Sequence, residues 1–234
     1  MNKDTMHHNH SVESHKACVS LVPIFNHLED EQLDEIMATT HSVSYKKHEL
    51  IYHAGDESNA LYIINKGKVR IYRLSESGKE QLVRILNPGD FTGEMALFSE
   101  STHEAYAEAM VDTKICMINR LDLQEFLVKY PSISLRILAE FSHRLEASEK
   151  QSSRFATEKV DTRIALFLVD YLDKETVGTD ELTLPMSKKD LASYLGTTPE
   201  TISRKFNELE DRGYIKQLTH KQIQIVDLDG LLLV

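Results

Sequence analysis

Cysteine is scarce in this 234-residue chain, which holds two, Cys18 and Cys116. Two thiols cannot build the multi-bridge framework of a small secreted domain, nor supply the four ligands of an iron–sulfur cluster within one chain. Long apolar runs are also missing. A run such as residues 164–169 falls far short of the roughly 20 residues that cross a bilayer. Residues 1–18 contain no apolar signal-peptide core, so a cytosolic protein with no membrane partner is expected. Positive charge is not in excess: Lys plus Arg is 27 against 37 for Asp plus Glu, a formal charge of −10. That excludes the uniformly basic surface of a histone-like binder and leaves a local basic face open. No Ser/His/Asp, metal-hydrolase or phosphate-loop pattern is present, nor a placed carboxylate pair, so the chain does not read as an enzyme. With 41% hydrophobic and 27% charged residues it is globular, and its length suits one or two domains.

The chain divides by texture. Residues 1–20 read as a flexible polar tail carrying His7, His8, His10 and His15. Residues 21–120 open with a helical pattern over 23–38 (Phe25, Leu28, Leu33, Ile36 and Met37, with Glu29–Glu31 near a start). Short runs rich in Val, Ile and Tyr follow, punctuated by Gly55, Gly67, Gly78 and Gly89 at intervals of 12, 11 and 11 residues. Turns at that spacing predict an antiparallel roll or barrel. Residues 121–156 contain no glycine, and Pro131 suits the first turn of a long helix. Leu135, Leu138, Phe141 (or Ser142) and Leu145 make an a/d-like stripe on it, a natural seam for a parallel homodimer.

Residues 157–234 read as a winged helix-turn-helix. Ser187 with Asp190 three positions on is an N-cap signal, and Leu191, Ala192 and Leu195 form an apolar face. Gly196-Thr197-Thr198 is the turn, and Pro199 opens a second helix whose inward face is Ile202, Phe206 and Leu209. Gly213 ends that helix, and residues 214–226 read as a hairpin. Subtracting the inward face leaves Glu200, Ser203, Arg204 and Asn207 together on the outer one. Arginine suits the O6 and N7 of guanine, glutamate the amino group of cytosine, and serine several bases. Lys188, Lys189, Thr198, Lys205, Lys216 and Lys221 are candidates for the DNA backbone around them. This segment is itself acidic, with 10 Lys plus Arg against 14 Asp plus Glu. Binding to double-stranded DNA must therefore rest on a local cationic face and fall steeply with salt.

Two stretches resemble the Crp/Fnr superfamily of bacterial transcription regulators: residues 89–98, Gly89-Asp90-Phe91-Thr92-Gly93-Glu94-Met95-Ala96-Leu97-Phe98, and residues 195–204, Leu195-Gly196-Thr197-Thr198-Pro199-Glu200-Thr201-Ile202-Ser203-Arg204. The resemblance implies an α+β chain: an N-terminal antiparallel β-roll like a cyclic-nucleotide-binding jelly roll, a long dimerisation helix and a C-terminal winged helix-turn-helix. The Glu200, Ser203 and Arg204 pattern is similar to the Fnr branch, which implies a homodimer on a palindrome similar to TTGAT-N4-ATCAA, with RNA polymerase as the further partner.

The superfamily holds cyclic AMP with an Arg-Ser pair; counting from Gly93 and Glu94, the matching positions here are Glu104 and Ala105. A carboxylate there would repel the cyclic phosphate, so no cyclic-AMP cofactor is expected, and the effector pocket reads as degenerate. The clustered N-terminal cysteines of the oxygen-sensing archetype are absent, so no four-cysteine cluster is expected either. The Cys18 and Cys116 arrangement resembles the Flp (Fnr-like protein) group of Gram-positive bacteria, which implies a dithiol–disulfide switch. Such a bridge closes about a hundred residues and favours the cross-linked fold by roughly 4–5 kcal/mol in the chain-entropy account. The other readings are a buried core thiol at Cys116 with an idle Cys18, a different small molecule in the roll, a metal on the histidine tail, and a sensor whose output is protein interaction.

Overall fold

A computed structural model describes residues 19–98, 100–175 and 180–234. Cys18, the four tail histidines and the expected loop near Gly178 lie outside the described residues. The chain forms two compact units: residues to Lys79 with Val83–Arg144, and Glu80–Leu82 with Leu145–Val234.

In the first unit the first helix described from end to end is α1 (Asp30–Ala38). The sequence pattern suggested a helix from residue 23. Here turns occupy that stretch, and the helix starts where Glu29 and Gln32 form a reciprocal capping box. Strands β1 (His41–Tyr45), β2 (Leu50–Tyr52), β3 (Glu57–Ser58), β4 (Ala60–Lys66), β5 (Val69–Leu74), β6 (Glu80–Leu86), β7 (Phe91–Thr92), β8 (Ser101–Thr102), β9 (Tyr106–Ala109) and β10 (Thr113–Asn119) follow. They pair as sheets ordered β1-β10-β4-β7 and β2-β9-β5-β6, with β3 and β8 as a separate ribbon. This is the expected antiparallel roll, and all four evenly spaced glycines adopt positive φ. Alternation along β4 sends Leu61 and Ile63 into one buried cluster and Ala60, Tyr62 and Ile64 into another.

Helix α2 (Arg120–Lys129) ends two residues before Pro131, which opens α3 (Pro131–Thr157) as expected. At 27 residues α3 is roughly 40 Å long. Its inward face is Ile133 and Ile137, followed by half-buried Phe141 against Phe98. The outer stripe therefore runs Leu135, Leu138, Ser142 and Leu145, and the choice left open between Phe141 and Ser142 resolves to serine. The three leucines remain 70%, 59% and 60% exposed.

In the second unit, α4 (Val160–Glu175), β11 (Glu181–Thr183), α5 (Lys188–Tyr194), α6 (Pro199–Asp211), β12 (Ile215–Gln217), β13 (Gln222–Ile225) and α7 (Leu228–Leu232) follow in order. The wing is a three-stranded sheet ordered β11-β13-β12, one strand more than the expected hairpin. Leu182 of β11 is buried, which gives that strand its anchor. Among the described residues, no helix is long and apolar enough to cross a membrane.

Candidate nucleic-acid interface

Helices α5 and α6 are built by their caps. Ser187 Oγ accepts the Asp190 N–H at 3.1 Å and donates to its carboxylate at 2.6 Å, so the α5 cap works in both directions. Thr198 caps α6 by accepting the Thr201 N–H, with Pro199 in the first turn. Between them Gly196 turns with φ +66°, a conformation that favours glycine. Ile202, Phe206 and Leu209 are buried as expected, which fixes the rotation of α6 and turns Glu200, Ser203, Arg204 and Asn207 to solvent on one face.

The electrostatics of that face are loose. Arg204 is 67% exposed and meets Glu208 only at 3.8 Å, so its guanidinium is available to an outside acceptor. Hydrogen bonds from its own backbone N–H and from the Thr198 hydroxyl hold the Glu200 carboxyl below its usual range, so it stands as an acceptor at neutral pH. Lys189, Lys216, Lys221 and Thr198 are exposed, as a backbone-contacting set requires. Two expected phosphate contacts are engaged differently. Lys205 Nζ bonds Glu208 at 2.7 Å and Asp161 at 3.4 Å, and half-buried Lys188 sits 4.9 Å above the Phe206 ring with Nζ 2.7 Å from Gln217 Oε1. Burial lowers the pKa of Lys188, and the Glu210 charge only partly opposes this. These acids account for part of the segment's negative excess: they are directed at the protein's own cations.

The expected effector positions in the roll do not come together. Gly93 (φ +84°) serves the fold, since a Cβ would strike the Ala60 carbonyl oxygen and stand 2.8 Å from the Tyr62 ring. Glu94 is deep and accepts from Arg84 at 3.0 Å and Arg144 at 2.8 Å. Glu104 points elsewhere: it is 77% exposed and paired with Arg73. Ala105 packs against the interior cluster. Arg84 was missed from the sequence, although it lies at inward parity between buried Leu82 and Leu86. Its Nη2 also reaches Thr92, which bonds the buried Tyr52 hydroxyl at 2.8 Å; burial pushes that phenol up to about 12.

Cys116 is fully buried on β10, opposite Ser42 and Ile63, and it is disulfide-bonded. Its Sγ lies 3.7 Å from the Ser42 hydroxyl. Val19, the first described residue, packs in the same buried cluster. Among the described residues, no group of three or more His, Cys, Asp or Glu side chains forms a metal site.

Comparison with known proteins agrees with this architecture. Residues 42–130 match the cyclic nucleotide-binding domain model, and residues 162–233 match the Crp-like helix-turn-helix domain model. The chain is 34% identical over 215 residues to the "Probable transcriptional regulator flp" of Lacticaseibacillus casei, covering 92% of this chain and 96% of that one. It is 35% identical over 188 residues to the "Nitrogen fixation regulation protein FixK" of Rhizobium meliloti, covering 80% and 84%. The solved structure of FixK2 from Bradyrhizobium japonicum superposes with a TM-score of 0.71 at 28% identity, over 82% of this chain and 95% of that one. A roll, a long helix and an exposed reading helix, matched along nearly the whole length, make this chain a member of the Crp/Fnr family of DNA-binding transcription regulators.

Proposed function

We propose that this regulator reads a palindrome similar to TTGAT-N4-ATCAA as a homodimer, recruits or blocks RNA polymerase from it, and is governed by thiol chemistry and not by cyclic AMP. The DNA reading is carried by one observation: Glu200, Ser203 and Arg204 share the exposed face of a helix whose opposite face is buried. The exposed leucine stripe of α3 supports a parallel seam between two copies, of modest strength because Ser142 interrupts it. A homodimer carries two reading helices, one for each half of the palindrome, whose half-sites lie about one helical turn apart.

For the signal, the disulfide-bonded state of Cys116 supports a switch in which the chain's other cysteine, Cys18, is the partner. Bridge formation joins two sulfurs and releases two protons, with two electrons passing to a peroxide or disulfide oxidant. Cyclic AMP is disfavoured because Glu104 faces away and the Arg84 and Arg144 guanidiniums are already engaged by Glu94. The deciding experiment compares reduced and mildly oxidised protein on a TTGAT-N4-ATCAA duplex at fixed salt. A redox-dependent affinity that disappears in Cys18→Ser is expected. Tight binding indifferent to oxidation would retain the DNA reader and remove the thiol switch, and no preference over a scrambled duplex would remove the palindrome.

A further inference from the structure

Gln217 ties the wing to the reading helix, and its neighbours allow its amide one orientation. Lys188 Nζ, which can only donate, lies 2.7 Å from Gln217 Oε1. The Glu210 carboxylate, which only accepts when ionised, takes Gln217 Nε2 at 2.9 Å and the Gln217 backbone N–H at 2.8 Å. Those two hydrogen bonds, helped by the Lys188 and Lys216 charges, hold Glu210 below its usual pKa against the opposing effect of desolvation. An amide whose oxygen faces a lysine and whose nitrogen faces a carboxylate cannot be turned round without setting donor against donor and acceptor against acceptor. Gln217 Nε2 also lies 3.1 Å from Asn207 Oδ1. Asn207 must then keep its oxygen inward, and this exposed side chain is left with its Nδ2 donors for the outside.

We propose that Asn207 is a dedicated hydrogen-bond donor to DNA, and that Gln217, oriented by Lys188, is the positioning residue that fixes its polarity. The proposal rests on the DNA reading above. Asn207 follows Arg204 by three residues and Glu200 by seven, so it extends the same face by one turn. Its target is an acceptor atom, on a phosphate or on a base edge. Lys188 thereby acquires a role suited to its half-buried place: it supplies direction to an amide chain instead of charge to a phosphate.

The test uses the full-length protein, in the redox form that binds more tightly, on the palindrome and on a scrambled duplex of equal length. Asn207→Ala is expected to weaken binding about tenfold, a typical size for a lost directional contact to DNA. Gln217→Met is expected to weaken it about threefold while Asn207 is present and to have no effect once residue 207 is alanine. Loss on the palindrome alone assigns the acceptor to a base edge, and equal loss on both duplexes assigns it to phosphate; either supports the donor role. Asn207→Ala binding like wild type on both duplexes would overturn it, as would a Gln217→Met loss undiminished in the Asn207→Ala background. Should Gln217→Met melt early, Asn207→Asp on the exposed surface decides: an acceptor-only side chain that binds like wild type overturns the proposal. Wild type that shows no preference for the palindrome would defeat that part of the DNA reading, leaving the donor role to be judged on the scrambled duplex. Wild type that binds neither would defeat both.

Discussion

The same two residue types, arginine and glutamate, meet opposite fates in the two units. In the roll, Glu94 accepts from Arg84 and Arg144 at 3.0 and 2.8 Å, and Arg144 adds Glu140 at 2.8 Å and the Phe91 carbonyl at 3.2 Å. Arg144 also covers the Phe91 ring at 4.2 Å. On α6, Arg204 has a 3.8 Å approach to Glu208, while Glu208 itself bonds Lys205 at 2.7 Å. Arginine buried among partners holds a fold together, and arginine left exposed on a rigid helix remains ready for a ligand. The difference lies in how much of each group's hydrogen-bonding capacity the protein already uses. It also shows where part of the segment's acid is directed: Asp161, Glu208 and Glu210 are committed to internal partners.

The largest test of this contrast is Glu94→Ala. It leaves two guanidiniums facing each other in a mostly buried site, and breaking such a pair costs about 3 kcal/mol or more. Urea unfolding should show that loss in the roll, while the relative affinity for palindrome and scrambled duplex stays unchanged. A stable Glu94→Ala protein would mean that the carboxylate is dispensable to the roll. Arg204→Ala should do the reverse, costing roughly 1–3 kcal/mol of binding and relaxing preference at one half-site position, with melting unaltered. Equal losses on specific and scrambled DNA would reduce Arg204 to a phosphate contact.

Much of this organisation was legible in the sequence because local physics dictated it. The roll announced itself through alternation and four turn glycines, and both helices of the reader through Ser187, Pro199 and their apolar faces. The outward set at 200, 203 and 204 followed by subtraction from Ile202, Phe206 and Leu209. Features that depend on distant partners were not legible. Strand β11 is three residues long and exists through its pairing with β13, and the start of α1 was masked by apolar residues 25 and 28 that pack from turns. Arg84 left only a parity signal. The Gln217 bonds join residues 29, 10 and 7 positions apart, which no single helix or strand period records.

The smallest effect, and the sharpest for the comparison, concerns acid. Burial by itself raises the Glu94 carboxyl, but the Arg84 and Arg144 charges more than reverse this, so its folded pKa lies below its unfolded value. A depressed carboxyl contributes stability that is complete above the unfolded value, about 4.3, and that is lost as pH falls through the folded value. The melting temperature of the roll should therefore decline below about pH 4.3 in wild type. Glu94→Gln should show a lower plateau and a shallower decline, since a neutral amide has no proton to take up. Glu200 is also lowered, but it lies on α6 in the other unit, so Glu200→Gln should keep the roll's acid limb while changing DNA preference. If instead Glu200→Gln flattened the limb and Glu94→Gln left it intact, the division between a carboxylate that holds the fold and one that reads a ligand would be reversed.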